Sequence, residues 1–227
     1  MRALRSTARR AFLILTATAA LSVASARADE AEVLATLAPE LSRAAISEAL
    51  AAVDCAKARG IAPDAERLAI VDYTRSSQER RLWVFDLRQN RVLFREFVAH
   101  GKGSGFDVAT EFSNRNGSHQ TSLGLFVTDE TYQGGNGYSL KLRGLSGELN
   151  DLALARRIVM HGAAYVDPER ARQTGRMGRS FGCPAVRRQV ARPIIDTLKE
   201  GQFLYAFGSG SATAERCETL AQKLSNG

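Results

Sequence analysis

The run Leu82-Trp83-Val84-Phe85, followed by Leu87, constrains this chain more than any other segment. In an extended strand Trp83, Phe85 and Leu87 point to one side and Leu82 and Val84 to the other, so both faces are apolar. Such a strand has to be packed on two sides, which favours a sandwich-like interior over an open sheet with one wet face. Similar short runs surround it. Leu68–Tyr73 precedes it, and Val92–Ala99 follows after a hairpin connection at Gln89-Asn90. Leu123–Thr128, Tyr138–Arg143, Arg157–Met160 and Phe203–Phe207 read as further strands, separated by glycine-rich connections such as Gly134-Gly135-Asn136-Gly137. A chain of 227 residues with 44% hydrophobic residues is long enough to bury this pattern in one main domain.

Helical patterns flank the strands. From Glu30 to Arg59, Leu41, Ala45, Ala49, Ala52 and Val53 recur at three- and four-residue spacing, with Pro39 suited to a first turn and Gly60 to a helix stop. Val190–Leu198 reads as a short helix closed by Gly201. Ala212–Leu224 reads as another, with Cys217, Leu220, Ala221 and Leu224 on one stripe. The expected fold class is mainly β with flanking helices, an α+β arrangement. Its segments are a leader at 1–28, a helical N-terminal part at 29–65, the β-rich domain at 66–209 and a C-terminal helix at 210–227.

The leader has a basic start from Met1 to Arg10, an apolar run from Ala11 to Ala24 and the small-residue pattern Ala26-Arg27-Ala28, the layout of a secretory signal. Its apolar run is shorter than the ~20 residues needed to span a bilayer. The exported chain is therefore expected to start at Asp29, to be periplasmic or secreted, and to keep no stable membrane span after signal cleavage. Arg9-Arg10-Ala11-Phe12-Leu13 also resembles a twin-arginine signal, which leaves the Sec and twin-arginine routes both open. The leader explains the charge as well. The net charge of +7 comes from 31 basic and 24 acidic residues, and five of the basic ones are Arg2, Arg5, Arg9, Arg10 and Arg27. Without them the balance is nearly neutral, and no nucleic acid partner is expected.

Export changes how the three cysteines are read, because an oxidising compartment pairs exposed thiols. Cys55 and Cys217 lie in helical stretches near the two ends, and a Cys55–Cys217 disulfide is expected, leaving Cys183 free. Cys183 sits in Ser180-Phe181-Gly182-Cys183-Pro184, and Met160-His161-Gly162 ends a strand upstream. A histidine at a strand end is held rigidly with its ring free. A cysteine after glycine in a sharp turn exposes its sulfur and gathers backbone N–H groups around one point. Between Arg170 and Arg192 stand seven arginines (Arg170, Arg172, Arg176, Arg179, Arg187, Arg188 and Arg192) and no acid. Such a patch is expected to lower the thiol pKa and to attract carboxylates. The alternative is that these arginines face water independently and the thiol is buried and inert.

Other motifs carry less. His100-Gly101-Lys102-Gly103-Ser104-Gly105 has its lysine too early for a phosphate-binding loop and reads as a strand-end loop, with His100 either structural or near the site. A zinc site from His100, His161 and Cys183 lacks any supporting ligand spacing, and neither metal nor cofactor is expected. His119 reads as a turn residue. Asn114, Ser122, Tyr138 and Tyr165 suit either a substrate groove or strand-edge packing.

His161-Gly162 followed by Ser180-Phe181-Gly182-Cys183 resembles the signature of L,D-transpeptidases, exported cysteine enzymes that remodel peptidoglycan. The blocks Arg80-Arg81-Leu82-Trp83, Ala99-His100-Gly101-Lys102-Gly103-Ser104-Gly105, Phe112-Ser113-Asn114, Ser122-Leu123-Gly124, His161-Gly162-Ala163-Ala164-Tyr165 and Gly178 to Pro184 are similar to the murein L,D-transpeptidase catalytic-domain-like family. That resemblance covers roughly Leu68 to Phe207 and implies an L,D-transpeptidase-like β-sandwich catalytic domain. It implies Cys183 as nucleophile, His161 as general base, Gly182 and Cys183 as N–H donors to the oxyanion, and Ser180 as the residue positioning the loop or the imidazole. Arg179, Gly162, Arg187, Tyr165 and His100 are the substrate-binding residues it suggests. The implied partners are peptidoglycan stem peptides, with a second stem peptide or a lipoprotein side chain as acyl acceptor. An L,D-carboxypeptidase or other peptidoglycan hydrolase using the same pair, and a non-catalytic cell-wall binding module, are the alternatives. The commoner signature has a basic residue two positions after the cysteine, where this chain has Ala185.

Overall fold

A computed structural model describes residues 27–209. The leader up to residue 26, the expected C-terminal helix and Cys217 lie outside the described residues. The helical prologue is two helices where the sequence suggested one: residues 27–37 (α1) and Arg43–Ala58 (α2). Pro39, lacking an N–H, falls in the turn between them instead of in a first helical turn. α2 buries Ala45, Ile46, Ala49, Leu50, Val53 and Ala56, the stripe expected of one face. It stops where Gly60 takes φ +74° and its N–H reaches the Lys57 carbonyl at 2.9 Å.

Among the described residues nine strands follow: β1 Arg67–Asp72, β2 Leu82–Asp86, β3 Arg91–Glu96, β4 Val98–Ala99, β5 Gly124–Gly134, β6 Gly137–Gly144, β7 Val159–Ala163, β8 Ala185–Arg187 and β9 Phe203–Phe207. Two further helices are α3 Pro168–Thr174 and α4 Arg188–Leu198. The strands form one sheet in the order β3-β2-β1-β9-β5-β6-β7-β8-β4. Its first and last strands, β3 and β4, are neighbours in the chain on either side of Phe97, so the sheet curls back on itself and is nearly closed. The Val92–Ala99 run expected as one strand is thus two, parted where the Phe97 N–H leaves the ladder for Glu96 Oε1 at 2.7 Å. An ion pair from Arg187 on β8 to Glu96 on β3 fastens the same corner.

β2 is buried throughout, and its two faces serve two cores. Leu82 and Val84 join Val71, Phe126, Leu140 and Met160 against Ile194, Ile195 and Leu198 of α4. Trp83 and Phe85 join Leu68, Ile70, Leu125, Phe203 and Tyr205 under Ile46, Leu50 and Val53 of α2. The two-sided packing read from the sequence therefore comes from helices on either face of a curled sheet. Each large side chain so buried stabilises the fold by about 1.5–3 kcal/mol.

Around the site several boundaries move. Gly134-Gly135-Asn136-Gly137 is the tight turn of a long β5–β6 hairpin, with a bulge between Thr128 and Thr131. β7 starts at Val159 and runs through His161 to Ala163. Unanticipated are β8 and α3. α3 is capped by Asp167, whose carboxylate accepts the Glu169 N–H at 2.9 Å, and is stopped by Gly175 at φ +75°.

Candidate active site

β7 carries His161 between two partners. On one side Ser139 of β6 lies opposite it in an antiparallel pair, and on the other Ala185 of β8 lies beside it in a parallel pair. Cys183 lies two residues before Ala185, just ahead of β8, and packs against the core that contains Met160 and Val186. This register brings the His161 strand alongside the segment that follows the cysteine turn.

The cysteine turn is held from several directions. Ser180 Oγ accepts the Gly182 N–H at 3.1 Å and donates to the Cys183 carbonyl at 2.7 Å. The Ser180 N–H donates to the His100 carbonyl, and the Lys102 N–H to the Ser180 carbonyl. Gly182 adopts φ +122° and packs against Gly101, where a Cβ would come within 2.3 Å of the His119 carbonyl. Both positions require glycine. Both side-chain bonds of Ser180 are thus made within the cysteine turn. The Gly182 N–H, which the family resemblance suggested as an oxyanion donor, is given to Ser180 Oγ.

Cys183 Sγ donates to the Arg157 carbonyl at 3.7 Å and is hydrogen-bonded by the Val159 backbone. Burial pushes the thiol above its ordinary range, and only in part do Val159 and Arg156 counter this. The sequence expectation of a thiol lowered by the arginine patch is therefore overturned. His161, 4% exposed, has Nδ1 3.2 Å from the Gly162 carbonyl. A carbonyl only accepts, so Nδ1 carries the proton and Nε2 is left with the lone pair. Burial holds His161 below the usual imidazole value. The resting pair is accordingly a neutral thiol and a neutral imidazole.

The cation that acts on the sulfur is Arg156, which sequence reasoning missed. Its guanidinium donates to the Ser113 and Gln120 carbonyls, each at 2.7 Å, and to Ser122 Oγ and Ser118 Oγ. It stands 3.3 Å from where a Gly182 Cβ would be. Only its place just ahead of the His161 strand hinted at this position.

The suggested binding residues divide. Tyr165 is near enough to Cys183 that the sulfur's charge, after burial, helps raise the phenol. Gly162 faces α4, where a Cβ would meet Ala191 Cβ at 2.8 Å. Arg179 Nη1 donates to the Gly105 carbonyl at 2.6 Å and the Lys102 carbonyl at 3.2 Å, tying the cysteine loop to the glycine-rich loop. Arg187 is spent on Glu96. His100 is not on a groove wall: it is fully buried, with Nδ1 2.7 Å from Arg81 Nη2 and Nε2 3.4 Å from the Gly105 carbonyl. Tyr138 donates to Asp196 of α4 and Asn114 to Asp151, while Ser122 is held between the Ser113 carbonyl and Arg156. His119, expected in a turn, lies just past the one at Asn116-Gly117; it is half-buried, adopts φ +54° and packs on Phe181. Cys55 is disulfide-bonded and Cys183 is free. Among the described residues no cluster of three His, Cys, Asp or Glu is placed to hold a metal ion, and no helix is long and apolar enough to cross a membrane.

A family model described as L,D-transpeptidase catalytic domain matches residues 37–207. Among solved structures, an L,D-transpeptidase from Mycobacterium smegmatis is similar at 14% identity and a TM-score of 0.39, over 63% of this chain and 59% of that one. The helical cell shape determining protein of Campylobacter jejuni, as its K307A mutant, is similar at 11% identity and 0.40, over 69% and 51%. An L,D-transpeptidase from Xylanimonas cellulosilytica is similar at 13% and 0.38, over 63% and 61%. The chain thus spans less than two thirds of each of these structures. No curated protein matches it.

Proposed function

The chain belongs to the L,D-transpeptidase catalytic domain family, and on that premise we propose that it is an exported cysteine acyltransferase acting on peptidoglycan stem peptides. The observation that supports this reading is the parallel pairing of His161 with Ala185, which puts the His161 strand alongside the segment that begins two residues past Cys183.

The reaction is acyl transfer in two steps. His161 Nε2 takes the thiol proton as Cys183 Sγ attacks the carbonyl on the L-centre of diaminopimelate in a stem tetrapeptide. The C–S bond forms and the carbonyl oxygen becomes an oxyanion facing the Cys183 N–H. When the intermediate collapses, the C–N bond to D-alanine breaks and the proton held on His161 passes to the departing amine. A thioester remains on Cys183. An amine from a second stem peptide or a lipoprotein side chain then attacks it, with His161 accepting that amine's proton and returning one to sulfur. Water in the same step yields a carboxypeptidase outcome.

Because the resting pair is neutral, proton transfer accompanies attack and no standing thiolate is needed. Arg156 favours the negative sulfur as it develops. The test is to incubate the protein with defined disaccharide-tetrapeptides and read products by mass spectrometry. D-alanine release together with cross-linked or trimmed muropeptides is expected, and neither from Cys183→Ala. Undiminished product from that variant overturns the reading, and sacculus binding with no turnover by the wild type leaves the binding-module alternative in its place.

A further inference from the structure

A cavity of about 460 Å³ is lined by Tyr132, Gly135, Lys141, Leu154, Arg157, Ile158 and Val159. The strand register ties it to the catalytic face. Tyr132 pairs with Ser139, which pairs with His161, and Lys141 pairs with Val159, so these side chains stand in two adjacent rows on one side of the sheet. The cavity shares its wall with the site, since the sulfur touches the Arg157 carbonyl and the Val159 backbone.

Two cations line it, and they differ. Lys141 is already paired with Glu130 and lies over the Tyr132 ring. Arg157 is exposed and makes no ion pair among the described residues. Its backbone is unusual as well, at φ +57°. The Arg157 N–H reaches the Leu154 carbonyl and the Ile158 N–H the Ala153 carbonyl, the paired bonds that close a helical turn with a left-handed residue. Glycine fits that position without strain, yet an arginine occupies it, at the residue whose carbonyl holds the nucleophile.

We propose that this cavity is the recognition site for the terminal carboxylate of the leaving D-amino acid, with Arg157 as the specificity-determining cation. The inference rests on the acyl-transfer reading above. In the tetrapeptide that carboxylate is only two bonds from the nitrogen of the bond being broken, so its receptor has to stand next to the sulfur. The Arg157 carbonyl lies against the sulfur and the residue lines the cavity with a planar fork of donors matched to a carboxylate, while Tyr132, Leu154 and Val159 supply the apolar surround that strengthens such a pair.

The experiment compares the disaccharide-tetrapeptide with the same compound ending in D-alaninamide. The readout is the ratio of kcat/KM for the acid to that for the amide. The wild type is expected to prefer the acid by about tenfold or more, the worth of one charge-assisted pair. Arg157→Gly and Arg157→Gln are expected to bring the ratio close to one, and Arg157→Lys to keep part of it. Arg157→Gly relieves the left-handed strain, so it is expected to melt no lower than the wild type, which separates recognition from misfolding. A ratio unchanged in Arg157→Gly and Arg157→Gln overturns the assignment, as does a lysine variant that loses as much as the glycine one. Turnover of neither compound by the wild type removes the acyl-transfer reading and the subsite with it, a result distinct from turnover without preference.

Discussion

At the scale of single residues, the site depends on which groups are charged at rest. Burial moves Cys183 up and His161 down, and both shifts favour the uncharged forms. The rate of alkylation by iodoacetamide is therefore expected to rise through an inflection above the usual thiol value of about 8.5. A rate already on its plateau at pH 6 means a standing ion pair. His161 acts only when neutral, so the acid limb of kcat/KM is expected below pH about 6.5. His100 offers a stability counterpart. Burial and the neighbouring Arg81 lower its pKa to about 4 in the folded chain. Between about 6.5 and 4 the unfolded chain takes up a proton that the folded one refuses, so stability falls with pH across that window, by about 3 kcal/mol when complete. His100→Asn keeps an acceptor for Arg81 and is expected to flatten that part of the pH–stability curve in denaturant titrations; an unchanged slope contradicts the assignment. The Gly182-Cys183 turn and a strand carrying His161 were legible because both follow from local chemistry, although His161 lies in the middle of its strand and not at its end. Arg156 and the fate of Arg187 were not, because a sequence shows charges but not the Gly182 backbone or the Glu96 carboxylate they meet after folding.

At the scale of elements, the core strands were legible and the short connectors were not. β2 could be read because apolar side chains on both faces leave a strand no exposed side, and β9 matched its expected bounds for the same reason. β8, with only Ala185, Val186 and Arg187, is too short for a periodic signal, although it pairs with the strand that carries His161. Leu50 of α2 is 1% exposed within the outer core. Leu50→Ala is expected to cost about 2–5 kcal/mol in urea unfolding; a cost near zero means that α2 does not hold the sheet. Arg187 bears on function and fold differently. Its partner Glu96 is nearly buried, so Arg187→Ala strands a carboxylate and is expected to cost about 2–3 kcal/mol of stability. The same variant is expected to leave KM for the stem peptide within about twofold once it is folded. A large KM rise with unchanged stability restores Arg187 to the substrate-binding role first inferred from its charge.

At the scale of the whole molecule, one curled sheet explains why distant segments meet. β3 and β4 bound the sheet at opposite ends of its order yet are joined through Phe97, so closure brings the His100 loop beneath the cysteine turn. Two-sided burial was visible in the sequence, but a closed sheet and a two-layer sandwich bury the same alternation, and only long-range register separates them. The helical prologue packs on the outer face of this sheet and shares its core. Its Cys55 is already disulfide-bonded, so the unfolded, unreduced protein is expected to titrate a single thiol, at Cys183; three thiols contradict this. The most direct test of the central claim is to mix the protein with a disaccharide-tetrapeptide in the absence of any amine acceptor, quench in acid and map the adduct by intact and peptide mass. The expected result is a thioester on Cys183 with the mass of the donor less D-alanine, lost in Cys183→Ala and restored to free thiol by hydroxylamine. Release of D-alanine with no adduct at Cys183, or an adduct on another residue, contradicts the account.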